Sequence, residues 1–125
     1  MIIVAAIIKK EGQVLLAERK SKTGGWEFPG GKVEPKETPE QALIREIREE
    51  LGVKIKVLKY LEKVSLPEKP EAQMMAFEAE LLDNSIRLSS HRQFFWVRPE
   101  ELLKYNLLPA DRELVKKLKA RDLLG

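Results

Sequence analysis

The sequence predicts an α/β fold, a mixed sheet covered by helices. Two observations carry this prediction. Short apolar, β-branched runs alternate with turns marked by glycine or proline, and a capped amphipathic stretch over residues 38–52 interrupts them. The resulting order is strands, helix, strands, helix, which packs most simply as a sheet between helical layers. A chain of 125 residues is long enough for one domain with its own core, so residues 1–125 are read as a single domain. There is no internal repeat, low-complexity segment or linker.

Ile2 to Ile8 is an apolar run, and Gln13 to Glu18 follows a tight turn at Glu11-Gly12, so the pair reads as two joined strands. Ser21 to Gly25 is a polar loop. Trp26-Glu27-Phe28 is a short extended piece ending at Pro29-Gly30-Gly31, where two adjacent glycines let the backbone adopt positive φ and let a ligand come close. Thr38 can cap a helix, Pro39 suits its first position and Gln41 completes a capping box. That helix should run to Leu51, stop at Gly52 and bury Leu43, Ile44, Ile47 and Leu51. Val53 to Val64 and Gln73 to Leu82 read as strands with a turn over Pro67 to Glu71. Phe94 to Val97 reads as a short strand, Pro99 opens a short helix, and Pro109 opens a last helix to about Leu118.

Composition narrows the chemistry. Apolar residues make up 43% and charged residues 34%, as in soluble globular proteins, and the net charge is only +3. No stable nucleic-acid partner is expected from so small an excess; the basic residues Lys116, Lys117, Lys119 and Arg121 read as the wet face of the last helix. With no cysteine, disulfides, thiolate catalysis and Cys-ligated zinc are excluded. His91 is the only histidine, which leaves multi-His metal sites and a His-based triad without support. The apolar run at Met1–Ile8 is too short to span a membrane and no basic region precedes it, so no membrane association and a cytoplasmic location are expected.

The chemistry concentrates in residues 31–53. Glu46, Glu49 and Glu50 are three or four residues apart, which on a helix puts them on one side within roughly 6 Å of rise. Like charges that close repel one another unless a cation lies between them, and hard carboxylate oxygens suit Mg²⁺ or Mn²⁺. Such ions neutralise phosphate charge and activate water. Arg45 is placed to pair with a carboxylate, Glu37 or Glu49, and so to orient the ligands.

Gly31, Glu37, Arg45, Glu46, Ile47, Glu49, Glu50, Gly52 and Val53 together fill every defined position of the pattern G-x5-E-x7-R-E-U-x-E-E-x-G-U, where U is a bulky aliphatic. A chance match in a chain this long is on the order of 10⁻⁷ from average residue usage. The segment resembles the Nudix box, and the preceding Trp26-Glu27-Phe28-Pro29-Gly30-Gly31 resembles the entry sequence of MutT-type members. The resemblance implies an α/β/α sandwich with a central mixed sheet. It implies an enzyme that cleaves a nucleoside diphosphate linked to another group, using Mg²⁺ or Mn²⁺ and a water nucleophile. Carried over residue by residue, it makes Glu46, Glu49 and Glu50 metal ligands assisted by the Gly30 carbonyl. It makes Arg45 their orienting partner and Gly31, Glu37 and Gly52 supports of the box. Glu46 is the choice for general base, although members of the family differ on which carboxylate does this. The sequence departs from the pattern once. Many relatives carry a further acidic residue before the late strand; aligned on Trp96, that position falls at Ser90, beside His91. Either one metal is held there through water or Glu78 or Glu80 stands in, and His91 reads as a surface loop residue.

Substrate recognition falls to Arg19, Phe28 and Asp111. Arg19 ends the second strand, where MutT-like proteins place a basic substrate contact. Phe28 is read as the aromatic that stacks on a base, whereas Trp26 and Phe77 are read as packing. Leu108-Pro109-Ala110-Asp111 resembles the element by which MutT and the CTP pyrophosphohydrolase subgroup read the base edge. An ionised Asp only accepts hydrogen bonds, which suits an exocyclic amino group on cytosine, adenine or guanine. The same residue would also serve as an ordinary helix cap. The expected substrate is a (deoxy)nucleoside triphosphate, a cytidine or an oxidised purine nucleotide, with a monomer or homodimer as the acting species. The rivals are a Nudix hydrolase of ADP-ribose or dinucleoside polyphosphates and a non-catalytic nucleotide-binding module. Pro67, 15 residues after Gly52, is near a proline kept by ADP-ribose members, but a hairpin turn explains it equally well. The intact box argues against the binding module.

Overall fold

The computed structural model describes Met1–Gly125. Strand β1, Ile2–Lys10, is the organising element. Its residues alternate between two cores: Val4, Ala6 and Ile8 face one, Ala5 and Ile7 the other, and all five are buried. Burial on both faces is why this strand reads as an unbroken apolar run rather than as an alternating one. Along one edge β1 pairs in parallel with β6, Lys69–Leu81, which in turn pairs antiparallel with β5, Ile55–Leu66. Along the other edge it pairs antiparallel with β4, Gly30–Lys32, and at Lys9 and Lys10 with β2, Gln13–Arg19. Strand β2 continues to β3, Trp26–Glu27, and to β7, His91–Val97. The sheet is therefore mixed, as predicted.

Helix α1, Pro39–Leu51, covers one face and packs Leu43, Ile47 and Leu51 against Val4, Ala6 and Ile8. Helix α2, Pro109–Ala120, covers the other and packs Leu114, Val115 and Leu118 against Ala5 and Ile7. A short 3₁₀ helix, Pro99–Lys104, leads into it. No helix is long and apolar enough to cross a membrane.

The local signals act as expected at α1. The Thr38 hydroxyl accepts from Gln41 N–H at 3.1 Å, the Gln41 side chain accepts from Thr38 N–H at 3.0 Å, and Gly52 ends the helix in the left-handed region at φ 66°. The Glu11-Gly12 turn has φ of 51° and 78°, the double positive values of a two-residue hairpin turn matched to strand twist.

Several expectations need correction. Ile44 is 42% exposed and Ala42 takes its place in the buried stripe, because the helix face toward the sheet is rotated by part of a turn. The β5–β6 connection is only Pro67-Glu68, with Leu66 paired to Lys69. Strand β7 begins three residues early, at His91 rather than Phe94, because its polar first residues pair with β2 at the sheet edge. Asp111 is not a helix cap: Leu108 holds that position without a side-chain bond, and Asp111 sits in the first turn with its carboxyl turned toward β3.

Candidate active site

Strand β4 and the turn before it carry the site. At Gly30 an added Cβ would collide with the Val4 carbonyl of β1, and at Gly31 it would collide with the Glu46 carboxyl of α1. Gly30 therefore lets β4 lie close against β1, and Gly31 leaves room for the Glu46 carboxyl of α1 over the β4 backbone. Gly30 N–H then donates to Glu50 Oε1 at 3.2 Å.

Arg45 is the hub of the acidic face. Its guanidinium binds Glu37 with two bonds, Nε to Oε2 at 2.7 Å and Nη2 to Oε1 at 2.9 Å. Nη1 donates to Glu46 Oε1 at 2.7 Å and to both oxygens of Glu49 at 3.2 Å, and Nη2 also reaches the Lys32 carbonyl at 3.0 Å. The two partners predicted as alternatives, Glu37 and Glu49, are thus both engaged. The Arg45 bonds hold the Glu37 carboxyl down at about 2, with help from its bond to Glu34 N–H, and the Glu37 pairing raises Arg45 above its ordinary value.

Three box carboxylates share one helix but not one environment. Glu49 has a side chain 55% exposed, whereas Glu46 lies mostly covered against Gly31. Glu50 is the one of the three that lines the cavity. Burial pushes its carboxyl up to about 8 against the opposing Gly30 N–H, and the nearby charges of Glu46 and Glu27 push the same way. No three acidic or histidine side chains converge as a ready-made metal cage, since Arg45 draws Glu46 and Glu49 to itself. The donor chemistry nevertheless suits a hard divalent cation: oxygen ligands only, and one carboxyl whose charge is suppressed until a cation offsets it.

Glu50 and the glycines open into a cavity of about 490 Å³. Arg19, Glu27, Phe28 and Asp111 line it as well. Asp111 is 4% exposed, and Phe28 N–H donates to its Oδ1 at 3.0 Å. Burial raises its carboxyl to about 7; the Phe28 bond and Arg19 oppose the rise, and Glu27 adds to it. Phe28 is only 3% exposed and belongs to the core under α2 while bordering the cavity. Trp26 stacks on Phe95, with centroids 5.0 Å apart, and Phe77 is buried, so both pack as expected. Ile3, Leu66 and Met74 complete an apolar wall.

The region before β7 differs from expectation. Ser90 carries no carboxylate, and the neighbouring Ser89 binds the end of α1, its hydroxyl donating to the Glu49 carbonyl at 2.7 Å. Neither Glu78 nor Glu80 borders the cavity; Glu78 pairs with Lys9 at 3.3 Å. His91 is no surface residue: it is 3% exposed, with Nε2 2.9 Å from Glu27 Oε2. Glu27, whose other oxygen accepts from Arg19 Nε at 3.0 Å, was not singled out in the sequence. The available signal was an acidic residue on a very short strand directly before the glycine turn.

A family model described as the NUDIX domain matches residues 1–118. The chain is 39% identical over 120 residues to the CTP pyrophosphohydrolase of Escherichia coli strain K12, covering 91% of this chain and 87% of that protein. It is 53% identical over 57 residues to the 8-oxo-dGTP diphosphatase of Proteus vulgaris, covering 43% of this chain and 51% of that protein. Among solved structures it is similar to the MutT protein from Methanosarcina mazei Go1, at 29% identity and a TM-score of 0.81, covering 98% of this chain and 94% of that one. The chain belongs to the Nudix hydrolase family, on its MutT-like branch.

Proposed function

We propose that this protein hydrolyses the pyrophosphate linkage of a (deoxy)nucleoside triphosphate to the monophosphate and pyrophosphate, with cytidine or oxidised purine nucleotides as the preferred bases. The observation that carries this reading is one cavity lined by Glu50 and the glycine turn, from the acidic helix and the strand beneath it, and by Asp111, from the last helix. Phosphates belong beside Glu50 and a base beside Asp111. The two relatives named for CTP and 8-oxo-dGTP support the choice of substrate class.

Glu46, Glu49, Glu50 and the Gly30 carbonyl would hold Mg²⁺ or Mn²⁺, which supplies charge neutralisation on the phosphates and a more acidic water. Arg45 orients Glu46 and Glu49 through its Glu37 anchor. Glu46 is the assigned general base. Gly31 keeps its carboxyl against the β4 backbone, and Gly52 ends the helix that carries it. Asp111, fixed by Phe28 N–H, presents an acceptor to an exocyclic amino group in its ionised form, the form that prevails above about pH 7. Apolar walls exclude water around the base. The 125 residues act as one catalytic domain, in the cytoplasm, as monomer or homodimer.

The test is product analysis by chromatography with Mg²⁺ or with EDTA, across CTP, dCTP, 8-oxo-dGTP, UTP, ADP-ribose and diadenosine tetraphosphate, with pyrophosphate scored for the triphosphates and nucleotide products for the last two. Metal-dependent release from a nucleoside triphosphate, with the monophosphate as co-product, is expected. Cleavage confined to ADP-ribose or the dinucleotide would overturn the substrate assignment.

A further inference from the structure

We propose that His91 and Glu27 form a positioning chain that aims the Arg19 guanidinium at the phosphate groups of the nucleotide. The inference rests on the reading of the cavity as a nucleotide site and adds to it the residues that set its cationic contact.

Three strands meet at this point. Arg19 closes β2, Glu27 closes β3 and His91 opens β7. Arg19 is held at its backbone, where its N–H donates to the Gly25 carbonyl at 2.9 Å. It is also paired in register with His91 at an irregularity between Glu18 and Arg19. Such bulges re-aim a side chain out of the regular alternation. The Glu27 carboxylate then takes Arg19 Nε on one oxygen and His91 Nε2 on the other, at 3.0 and 2.9 Å. A carboxylate only accepts, so Nε2 carries the hydrogen of this bond.

Two features argue that the chain serves a ligand rather than the core. First, Arg19 is tied only through Nε. Its two Nη groups make no bond within the protein, and the residue borders the cavity. A guanidinium held at Nε with its Nη pair free is oriented to grip phosphate oxygens. Second, His91 Nδ1 is buried without any partner. An unsatisfied buried nitrogen is costly, and an apolar side chain would fill the place without that cost. What the imidazole adds over a leucine is the Nε2 bond to Glu27.

The phosphate-binding step can be measured apart from turnover, by calorimetric titration of the Mg²⁺-loaded protein with inorganic tripolyphosphate. Arg19→Ala should weaken binding about tenfold, the loss of one charge-assisted phosphate contact. His91→Leu should weaken it about fivefold, and His91→Gln, which keeps a donor near Nε2, should restore most of that. Glu27→Gln tests the same link without altering the buried end of β7, and should also weaken binding. In steady state these changes should raise KM more than they lower kcat. Added to Arg19→Ala, His91→Leu should cost nothing further, because it acts through Arg19. An undiminished effect of His91→Leu in the Arg19→Ala background would overturn the chain, as would wild-type affinity in both His91→Leu and Glu27→Gln. Wild-type protein that does not bind tripolyphosphate would overturn it too. Binding of tripolyphosphate with the expected variant pattern, but no hydrolysis of any nucleoside triphosphate, would instead uphold the chain and reject the proposed reaction.

Discussion

Glu50 and Asp111 both line the cavity, and burial raises the affinity of each carboxyl for protons; they differ in what surrounds them. At Glu50 the rise to about 8 comes from burial, and the charges of Glu46 and Glu27 add to it. At Asp111 the rise to about 7 comes from burial, with Phe28 N–H and Arg19 opposing it. Glu50 therefore sits among an excess of acidic groups that a divalent cation relieves. Asp111 is fixed by a backbone donor and feels both Glu27 and Arg19, and its remaining oxygen is open to a base amino group. Under the proposed function, the chemistry falls to the Glu50 side and base selection to Asp111 within one 490 Å³ cavity.

The largest expected effect is at Glu50. Glu50→Gln keeps the size of the side chain and its acceptor for Gly30 N–H, but removes the charge a cation needs. Turnover of every nucleotide should fall by about 10³-fold or more, the scale of removing a principal electrostatic contributor. Metal titration followed by kcat at saturating Mg²⁺ checks this. A variant with more than a tenth of wild-type activity would remove Glu50 from the metal site.

Next in size is discrimination between bases. Asp111→Asn can still accept from Phe28 N–H, yet it also gains donors that suit a carbonyl at the same base position. The preference for CTP over UTP should shrink by about tenfold in kcat/KM, from the usual range for a lost base-edge discrimination. Competing the two nucleotides in one reaction measures the ratio directly.

The same substitution sharpens the electrostatic comparison without substrate. Asp111 has a folded-state value raised above its ordinary 3.8, so between about pH 4 and pH 7 the folded protein binds more protons than the unfolded chain. Its contribution to stability is present at low pH, is lost as pH rises toward 7, and is flat above that. Asp111→Asn should remove this dependence and gain on the wild type by up to about 4 kcal/mol between pH 4 and pH 8. Urea unfolding of both proteins across that range, without metal, checks the sign. A difference that shrinks with rising pH would contradict the buried, proton-holding Asp111.

The smallest effect is on the scaffold. Thr38→Ala removes half of the α1 capping box and should cost about 1 kcal/mol of stability in urea unfolding. It should leave the ratio of CTP to UTP hydrolysis alone, because the cap does not line the cavity.

Helix α1 is legible in the sequence because its signals are local. The cap, the stop at Gly52 and the spacing of Glu46, Glu49 and Glu50 all lie within one short segment, and the structure reproduces the cap and the stop. The same was true of the turn at Glu11-Gly12. What stayed hidden depends on distant partners. The polar start of β7 has no apolar pattern to mark it as a strand, so His91 was read as exposed, whereas its partner Glu27 lies 64 positions earlier. Asp111 looks like a cap in sequence because Pro109 and an acidic residue open a helix; only the fold brings Phe28 N–H within 3.0 Å of it. The difference between Glu49 and Glu50 is likewise invisible in sequence, since it is set by which side of the helix meets β4.

The most direct test of the proposed division of the cavity is kcat/KM for CTP and for UTP in the wild type, Glu50→Gln and Asp111→Asn. The expected result is that Glu50→Gln lowers both values by the same factor, while Asp111→Asn brings them together. A Glu50→Gln protein with altered base preference, or an Asp111→Asn protein that slows both nucleotides equally, would contradict the division of the cavity into a phosphate side and a base side.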